Sequence, residues 1–240
     1  MRANLFLMTN LIFLASCATN IPEVVDNSIE SSNTELESTV LKNDSFAGVQ
    51  FFMDGMLFFE QGDYARAIIE FQDSIEAGSN SPEVYFNMSE AYWMLQKYDK
   101  SISLAKKAIL LDDSAVDYKI SLGKKYIALN NYELSLDVFN GIALKNPKNA
   151  NVIFIIGDLK AELNDVDGAL LYYQEAYNVD NELILALEVA AQLAYNSNHM
   201  DLPKIFKKLL LADPSNSEYM RGFLESKNGG NVEELIDLLE

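Results

Sequence analysis

The chain has 240 residues, 49% of them hydrophobic, with only 5 prolines and 11 glycines. This composition supplies a sizeable core and leaves room for long uninterrupted helices. Its 18 basic and 36 acidic residues give a formal charge of −18, which disfavours binding to nucleic acid phosphates or anionic lipid surfaces. Cys17 and His199 are the only residues of their types, which excludes an internal disulfide and a His/Cys metal cluster.

The first residues have the pattern of a secretory signal. Arg2 supplies a positive charge, and the apolar run from Leu5 to Ala15 is too short for a membrane-spanning helix, which needs roughly 20 residues. The run ends in Leu14-Ala15-Ser16-Cys17, and this resembles the lipobox of bacterial lipoproteins. The resemblance implies that residues 1–16 are a signal peptide and that the Cys17 thiol carries a diacylglyceryl group.

Lipidation at Cys17 with more than one acyl chain anchors a protein stably to a bilayer. Because Ala18 rather than aspartate follows Cys17, the enterobacterial pattern favours the outer membrane, facing the periplasm; the inner membrane stays open. Residues 17–46 then form an acidic segment rich in Ser, Thr and Asn without sustained helical periodicity. We predict a flexible tether on the order of 30 Å long, from the square-root scaling of linkers.

The remaining chain repeats itself every 34 positions. Small residues recur at Gly55, Ser89, Gly123, Gly157 and Ala191, and the turn of the first repeat reads Gly62-Asp63-Tyr64-Ala65-Arg66-Ala67-Ile68. This resembles the tetratricopeptide repeat across roughly residues 47–240. In that family a small residue on the first helix of each hairpin, helix A, faces a small residue on the second, helix B, so that the helices approach closely.

The resemblance implies an all-α fold, a right-handed superhelical solenoid of about five to six hairpins. The repeats are predicted at residues 48–81, 82–115, 116–149, 150–183 and 184–215, and a partial capping motif at 216–240. The fifth repeat is degenerate, since Pro203 replaces a small residue near the start of helix B. Proline is tolerated there only in the first helical turn.

No catalytic constellation, cofactor motif or metal site is found in the sequence, so we predict no enzyme activity. His199 is expected to be a solvated turn residue. Asp112-Asp113 and the pair Asp165 and Asp167 fall at predicted turns between helices, where aspartate caps helices and forms turns.

In tetratricopeptide arrays the A helices line a concave groove, and the resemblance assigns to it a set of apolar, aromatic and scattered polar residues. The candidate partner-binding residues are Phe52, Met56, Phe59, Phe86, Asn87, Glu90, Trp93, Ile120, Lys124, Ile127, Phe154 and Asp158. Such a groove suits an amphipathic helix or an extended apolar segment, with Trp93 as the first anchor to test. Alternatively, many of these side chains pack between repeats or under the tether. The family's carboxylate clamp is not encoded, because only Asn87 matches it.

The predicted function is therefore a membrane-anchored scaffold that binds a protein or peptide partner, in an envelope assembly of the pilotin kind. The alternatives are an adaptor that positions a cell-wall enzyme and an outer-membrane barrel-assembly lipoprotein.

Overall fold

The structure is a computed structural model, and it describes residues 46–226 together with Ile236. The predicted signal peptide, the predicted lipidation site Cys17, the predicted tether up to residue 45 and most of the segment after residue 226 lie outside the described residues. The described residues belong to one compact unit, residues 44–240.

Helices account for nearly all of the described chain. The first, α1, is already helical at residue 46 and ends at residue 60. It is followed by α2 (Tyr64–Glu76), α3 (Pro82–Met94), α4 (Tyr98–Leu111), α5 (Val116–Ala128), α6 (Tyr132–Lys145), α7 (Ala150–Glu162), α8 (Val166–Val179), α9 (Ile184–Asn196), α10 (Leu202–Ala212) and α11 (Ser217–Ser226). Extensive helix–helix packing joins consecutive helices. The predicted all-α solenoid is confirmed: odd-numbered helices are the A helices and even-numbered ones the B helices.

Close approach of the two helices in a hairpin depends on glycine. A Cβ atom built on three A-helix glycines would lie within 2.7 Å of a ring on the paired B helix. The pairs are Gly55 with Phe71, Gly123 with Phe139 and Gly157 with Tyr173. The second hairpin has Ser89 at this position, and the residue equivalent to the aromatic ring is Ala105. The expected small residue on helix B also lies at this contact, since a Cβ on Gly55 would lie 3.3 Å from the Ala67 carbonyl oxygen and Ser135 Oγ bonds to the Gly123 carbonyl. The aromatic ring is a further neighbour that was not expected.

The turns between A and B helices share a backbone feature that recurs every 34 residues and that was not predicted. One residue in each turn has a left-handed backbone: Gly62, Gln96, Asn130, Asn164 and Asn198, with φ of 77°, 59°, 55°, 60° and 52°. In the third hairpin the Asn130 N–H donates to the carbonyl of Ile127 and the Asn131 N–H to that of Tyr126, both at 2.9 Å. Such a left-handed residue satisfies the last carbonyls of a helix, and glycine and asparagine tolerate it best.

The irregular fifth hairpin keeps this architecture. Pro203 lies in the first turn of α10, as predicted, where no intrahelical N–H is required.

Buried serines also join the two helices of the second and third hairpins. Ser135 Oγ donates to the Gly123 carbonyl at 3.0 Å and Ser89 Oγ to the Ser101 carbonyl at 2.8 Å. These bonds satisfy polar atoms that would be costly to bury alone.

Candidate functional site

A cleft lies between the A helices of the second and third hairpins, and we call it the α3–α5 cleft. It has a volume of about 440 Å³. Its lining consists of Phe86, Glu90 and Trp93 from α3, and Asp117, Ile120, Ser121, Lys124, Lys125 and Ala128 from α5. Residues three and four apart share one face of a helix, so each helix contributes a continuous stripe. The cleft therefore brings together five of the twelve predicted groove residues: Phe86, Glu90, Trp93, Ile120 and Lys124.

Aromatic rings build the apolar part of this cleft. The Phe86 ring stacks on Tyr118 with centroids 4.6 Å apart, and the Trp93 ring lies 4.7 Å from Tyr98. Both Phe86 and Trp93 are half-buried, so each ring is fixed by a neighbour while part of its surface faces the cleft. Rings fixed in this way lose little conformational entropy when a ligand packs on them.

A buried charge cluster forms the polar part. The Lys125 side chain is only 4% exposed, and its ammonium donates to the Glu90 carboxylate and, at 2.7 Å, to Ser121 Oγ. Ser121 Oγ in turn donates to Glu90 Oε1 at 2.7 Å, and the Lys125 ammonium lies 5.7 Å from the centre of the Trp93 ring. A buried ammonium is tolerated only with such partners. The cluster therefore ties α3 to α5 and fixes the tryptophan-bearing wall.

Sequence reasoning named Glu90 and Lys124 but missed Lys125. The signal was present in the repeat itself: the equivalent positions one repeat before and after are Ala91 and Leu159, which are fully or almost fully buried. A lysine at a core position of the repeat is anomalous, and it marks a place where charge replaces apolar packing.

The predicted residues on α1 have a different environment. Phe52, Met56 and Phe59 pack against the buried cluster formed by Phe71 and its neighbours on α2 and α3. The Phe52 ring lies 5.9 Å from Phe71, and the Phe59 ring lies 5.3 Å from Tyr64. For these three residues the structure supports the alternative of packing within and between repeats.

The remaining predicted residues are distributed over other contacts. Asn87 Nδ2 donates to the Glu83 carbonyl on its own helix at 2.8 Å, and Ile127 packs against the core cluster around Phe139. Phe154 lies 5.4 Å from Tyr173 between ring centres, and Asp158 accepts a 2.8 Å hydrogen bond from the Tyr173 hydroxyl. Burial raises the pKa of Asp158, although this hydrogen bond opposes the shift. Five of the twelve residues therefore line the α3–α5 cleft, and the other seven have the contacts described above.

The prediction that His199 is solvated is wrong. Its side chain is only 20% exposed; Nε2 bonds to Asp167 Oδ1 at 2.8 Å, and Nδ1 accepts the Asp201 N–H at 3.1 Å. Asp167 lies at the start of α8, so the histidine ties the fifth hairpin to the fourth. The two residues are 32 positions apart, which is not the repeat period, so the spacing of the repeat gave no signal for this contact.

Two of the four aspartates predicted to cap helices or form turns, Asp165 and Asp112, do so through their side chains. Asp165 Oδ1 accepts the Gly168 N–H at 3.0 Å at the start of α8, and Asp112 Oδ1 accepts the Ser114 N–H at 2.9 Å. Within residues 46–226, no group of three or more Asp, Glu, His or Cys side chains is placed to hold a metal ion. None of the described helices has the length and hydropathy of a membrane-spanning segment.

A family model for the tetratricopeptide repeat matches residues 52–116, which include all of α3 and α4. The regular 34-residue hairpins extend the same pattern on both sides of that match. Tetratricopeptide repeats are therefore present in this chain.

Several proteins share this repeat. Human tetratricopeptide repeat protein 12 is 28% identical over 109 residues, which cover 45% of this chain and 15% of the human protein. A TPR repeat-containing protein of Methanocaldococcus jannaschii is 23% identical over 124 residues, 52% of this chain and 22% of that protein. The chain thus spans less than a quarter of either relative.

Solved structures share the fold over a larger part of the chain. A crystal structure of MamA superposes with a TM-score of 0.60 at 18% identity, covering 72% of this chain and 95% of that one. YrrB, described as a TPR protein with an unusual peptide-binding site, superposes with a TM-score of 0.56 at 18% identity, covering 80% and 97%. At these identities the likeness establishes the tetratricopeptide fold.

Proposed function

We propose that this tetratricopeptide repeat protein is a scaffold that binds a protein or peptide partner in the α3–α5 cleft. The observation that carries the proposal is the pairing of two half-buried aromatic rings, Phe86 and Trp93, with a charge cluster that fixes the second of them. Pre-positioned aromatic anchors contribute most of the affinity at such surfaces. The peptide-binding site named for YrrB is consistent with this use of the fold.

The cleft favours a segment with one bulky apolar side chain and mixed charge. Its apolar centre is Phe86, Trp93 and Ile120, and the exposed charges on α5 are Asp117 and Lys124, one of each sign. These two lie seven residues apart on one helix, which corresponds to about 10.5 Å at 1.5 Å per residue. A partner carrying a base and an acid on either side of its anchor would pair with both.

To test the proposal, Lys124 at the edge of the cleft is replaced by a photo-crosslinking amino acid. The variant is then used to capture a partner from extracts of the host. The matched control carries the same group at Leu144, which is 86% exposed and lies outside the cleft. The protein captured only from Lys124 is then purified and its affinity measured directly. Trp93→Ala should weaken that affinity at least tenfold, as expected when a central anchor is lost.

Circular dichroism and the unfolding midpoint of Trp93→Ala serve as controls for folding. An affinity unchanged by both Trp93→Ala and Phe86→Ala in folded variants would refute binding in this cleft. Equal capture from Lys124 and Leu144 would also refute it.

The finer part of the proposal concerns location. The lipobox-like Leu14-Ala15-Ser16-Cys17 supports a lipid anchor at Cys17 in a bacterial envelope, with the repeats held away from the bilayer by residues 18–45. In this position the scaffold would serve an envelope assembly of the pilotin kind. The identity of the crosslinked protein separates this role from the adaptor of a cell-wall enzyme and from barrel assembly.

Replacing the Cys17 thiol tests the anchor. Cys17→Ser should move the protein from the membrane fraction to the soluble fraction, and metabolic labelling with a fatty acid should be lost. Ser16→Thr leaves the thiol in place and serves as the control substitution beside it. Continued membrane association of Cys17→Ser would overturn the anchor without affecting the cleft.

A further inference from the structure

A second and larger cleft occurs at the other end of the array, and we call it the α9–α11 cleft. It has a volume of about 690 Å³, within the range of ligand-binding pockets, and is formed by α9, α10, α11 and the turn before α10. None of the twelve predicted groove residues lines it. It is separated from the α3–α5 cleft along the chain by three helices, α6, α7 and α8.

Apolar side chains in this cleft are unusually exposed. Tyr195, near the end of α9, is 63% exposed, and Met200 in the following turn is 84% exposed. Phe206 forms a further wall, and a Cβ atom built on Gly222 would lie 2.3 Å from its ring, so the glycine lets α11 pack against that ring. Bulky apolar groups exposed together at a concave surface are typical of a binding site.

The charges around these groups are mostly negative. Three carboxylates line the cleft, those of Glu188, Glu218 and Glu225, against the single guanidinium of Arg221. The Tyr219 hydroxyl donates to Glu188 Oε1 at 2.5 Å. Among the described residues, neither Glu218 nor Glu225 forms a salt bridge, and both are exposed. The α3–α5 cleft differs, because its two acids are balanced by two lysines.

The segments that flank the repeats in this chain are poor candidates for the occupant. Residues 18–45 contain six acidic residues and one lysine, and residues 227–240 contain four acidic residues and one lysine. Both would be repelled by the carboxylates of the cleft. A second copy of the chain brings a net charge of −18 and is disfavoured in the same way.

We infer that the α9–α11 cleft binds a basic amphipathic segment of another protein. An apolar side chain of that segment packs on Tyr195, Met200 and Phe206, and the lysine or arginine side chains of the segment pair with Glu218 and Glu225. Charge complementarity sets the choice of partner, while burial of the apolar side chain supplies much of the affinity. This site is independent of the α3–α5 cleft, so the array would hold two partners of different chemistry.

The test uses a fluorescent helical peptide with leucines along one face and lysines along the other, and a second peptide with glutamate in place of every lysine. Affinities are measured by fluorescence anisotropy with the full-length protein. The double variant Glu218→Lys/Glu225→Lys should bind the lysine peptide at least tenfold more weakly. Tyr195→Ala should weaken it at least threefold, and Trp93→Ala should leave it unchanged.

The matched control is Glu175→Lys/Glu182→Lys, which changes the net charge of the protein equally at two exposed positions outside the cleft. It should weaken binding less than threefold. Equal weakening by the two double variants would overturn the inference, because binding would then follow overall charge. A glutamate peptide that binds as tightly as the lysine peptide, or a Tyr195→Ala variant with unchanged affinity, would overturn it too. A failure of the α3–α5 proposal would instead be seen in the capture of the crosslinked partner and in the affinity for it. The peptide affinities measured here would be unaffected.

Discussion

The two clefts have the same origin and different chemistry. Both lie between consecutive A helices, yet the α3–α5 cleft contains the Lys125–Glu90 ion pair, whereas the α9–α11 cleft exposes Tyr195 and Met200 beside two carboxylates, Glu218 and Glu225, that form no salt bridge among the described residues. In the first, polar contacts already made within the protein fix the wall of the cleft. In the second, exposed apolar side chains and carboxylates are accessible to a partner. A repeat architecture can therefore keep its spacing while individual positions assign each cleft a different role.

The largest expected difference concerns the buried pair. Glu90→Ala leaves the Lys125 ammonium, 4% exposed, without its carboxylate and should lower the free energy of unfolding by about 3 kcal/mol. Glu188→Ala removes only the hydrogen bond from Tyr219 at an exposed carboxylate and should cost about 1 kcal/mol or less. Urea unfolding followed by circular dichroism measures both. Equal losses would contradict a structural role confined to the α3–α5 cleft.

A smaller difference in the free energy of unfolding is expected between two glycine-to-alanine variants, one in α5 and one in α11. Gly123→Ala drives a Cβ into the Phe139 ring, which is fully buried, and should cost about 1–2 kcal/mol after the gain in helix propensity. Gly222→Ala meets the Phe206 ring at a shorter distance, but that ring borders the open cleft and can move. We expect a change near zero there. Thermal unfolding of both variants decides; a larger loss for Gly222→Ala would show that the cleft wall is rigid.

The dependence of stability on alkaline pH tests the hydrogen bond between Tyr219 and Glu188 in the α9–α11 cleft. Burial, together with the hydrogen bond to Glu188, raises the pKa of Tyr219 to about 12. Because the folded state holds the neutral hydroxyl, this contribution to stability is complete below the ordinary pKa of 10 and is lost as the pH rises towards 12. Tyr219→Phe should reduce the fall in stability between pH 10 and 12. Tyr195→Phe, which removes an exposed hydroxyl of the same cleft, is the control and should keep the wild-type slope.

The smallest effect is expected at the edge of the α3–α5 cleft. Lys124 is exposed and forms no salt bridge within the described residues, so Lys124→Ala should change the affinity for the crosslinked partner less than threefold. The loss for Trp93→Ala should exceed tenfold. Binding titrations at low and high salt measure both. A Lys124→Ala loss as large as that for Trp93→Ala would make charge, not aromatic packing, the main source of affinity.

Much of the fold could be predicted from the chain. Small residues at a 34-residue interval predict hairpins that approach closely, and the solenoid confirms them. The partner of each glycine could not be assigned in this way, because an aromatic ring sixteen residues later becomes visible as a neighbour only when the two helices are packed. The same limit applies to His199, whose partner Asp167 belongs to the preceding repeat.

The candidate site was harder to predict. The rule that A-helix positions face a groove treats all repeats alike, and it selected Phe52, Met56 and Phe59, which pack into the core around Phe71. At the first repeat, α1 packs on α2 and α3, and this packing leaves the three side chains half-buried. The candidate residues also included none on α9 or α11, where the larger of the two clefts lies.

The sequence by itself determined the repeat, its period and the helical class, because these depend on local spacing and on helix periodicity. It also determined the acidic character of the chain and the lipobox-like motif at Cys17. Only the tertiary structure decided which A-helix side chains stay accessible, since this depends on how each hairpin packs on the next. It likewise decided that Lys125 is buried and paired with Glu90, because this ion pair joins residues of different repeats. Glu218 and Glu225, by contrast, are exposed and form no salt bridge with any described residue.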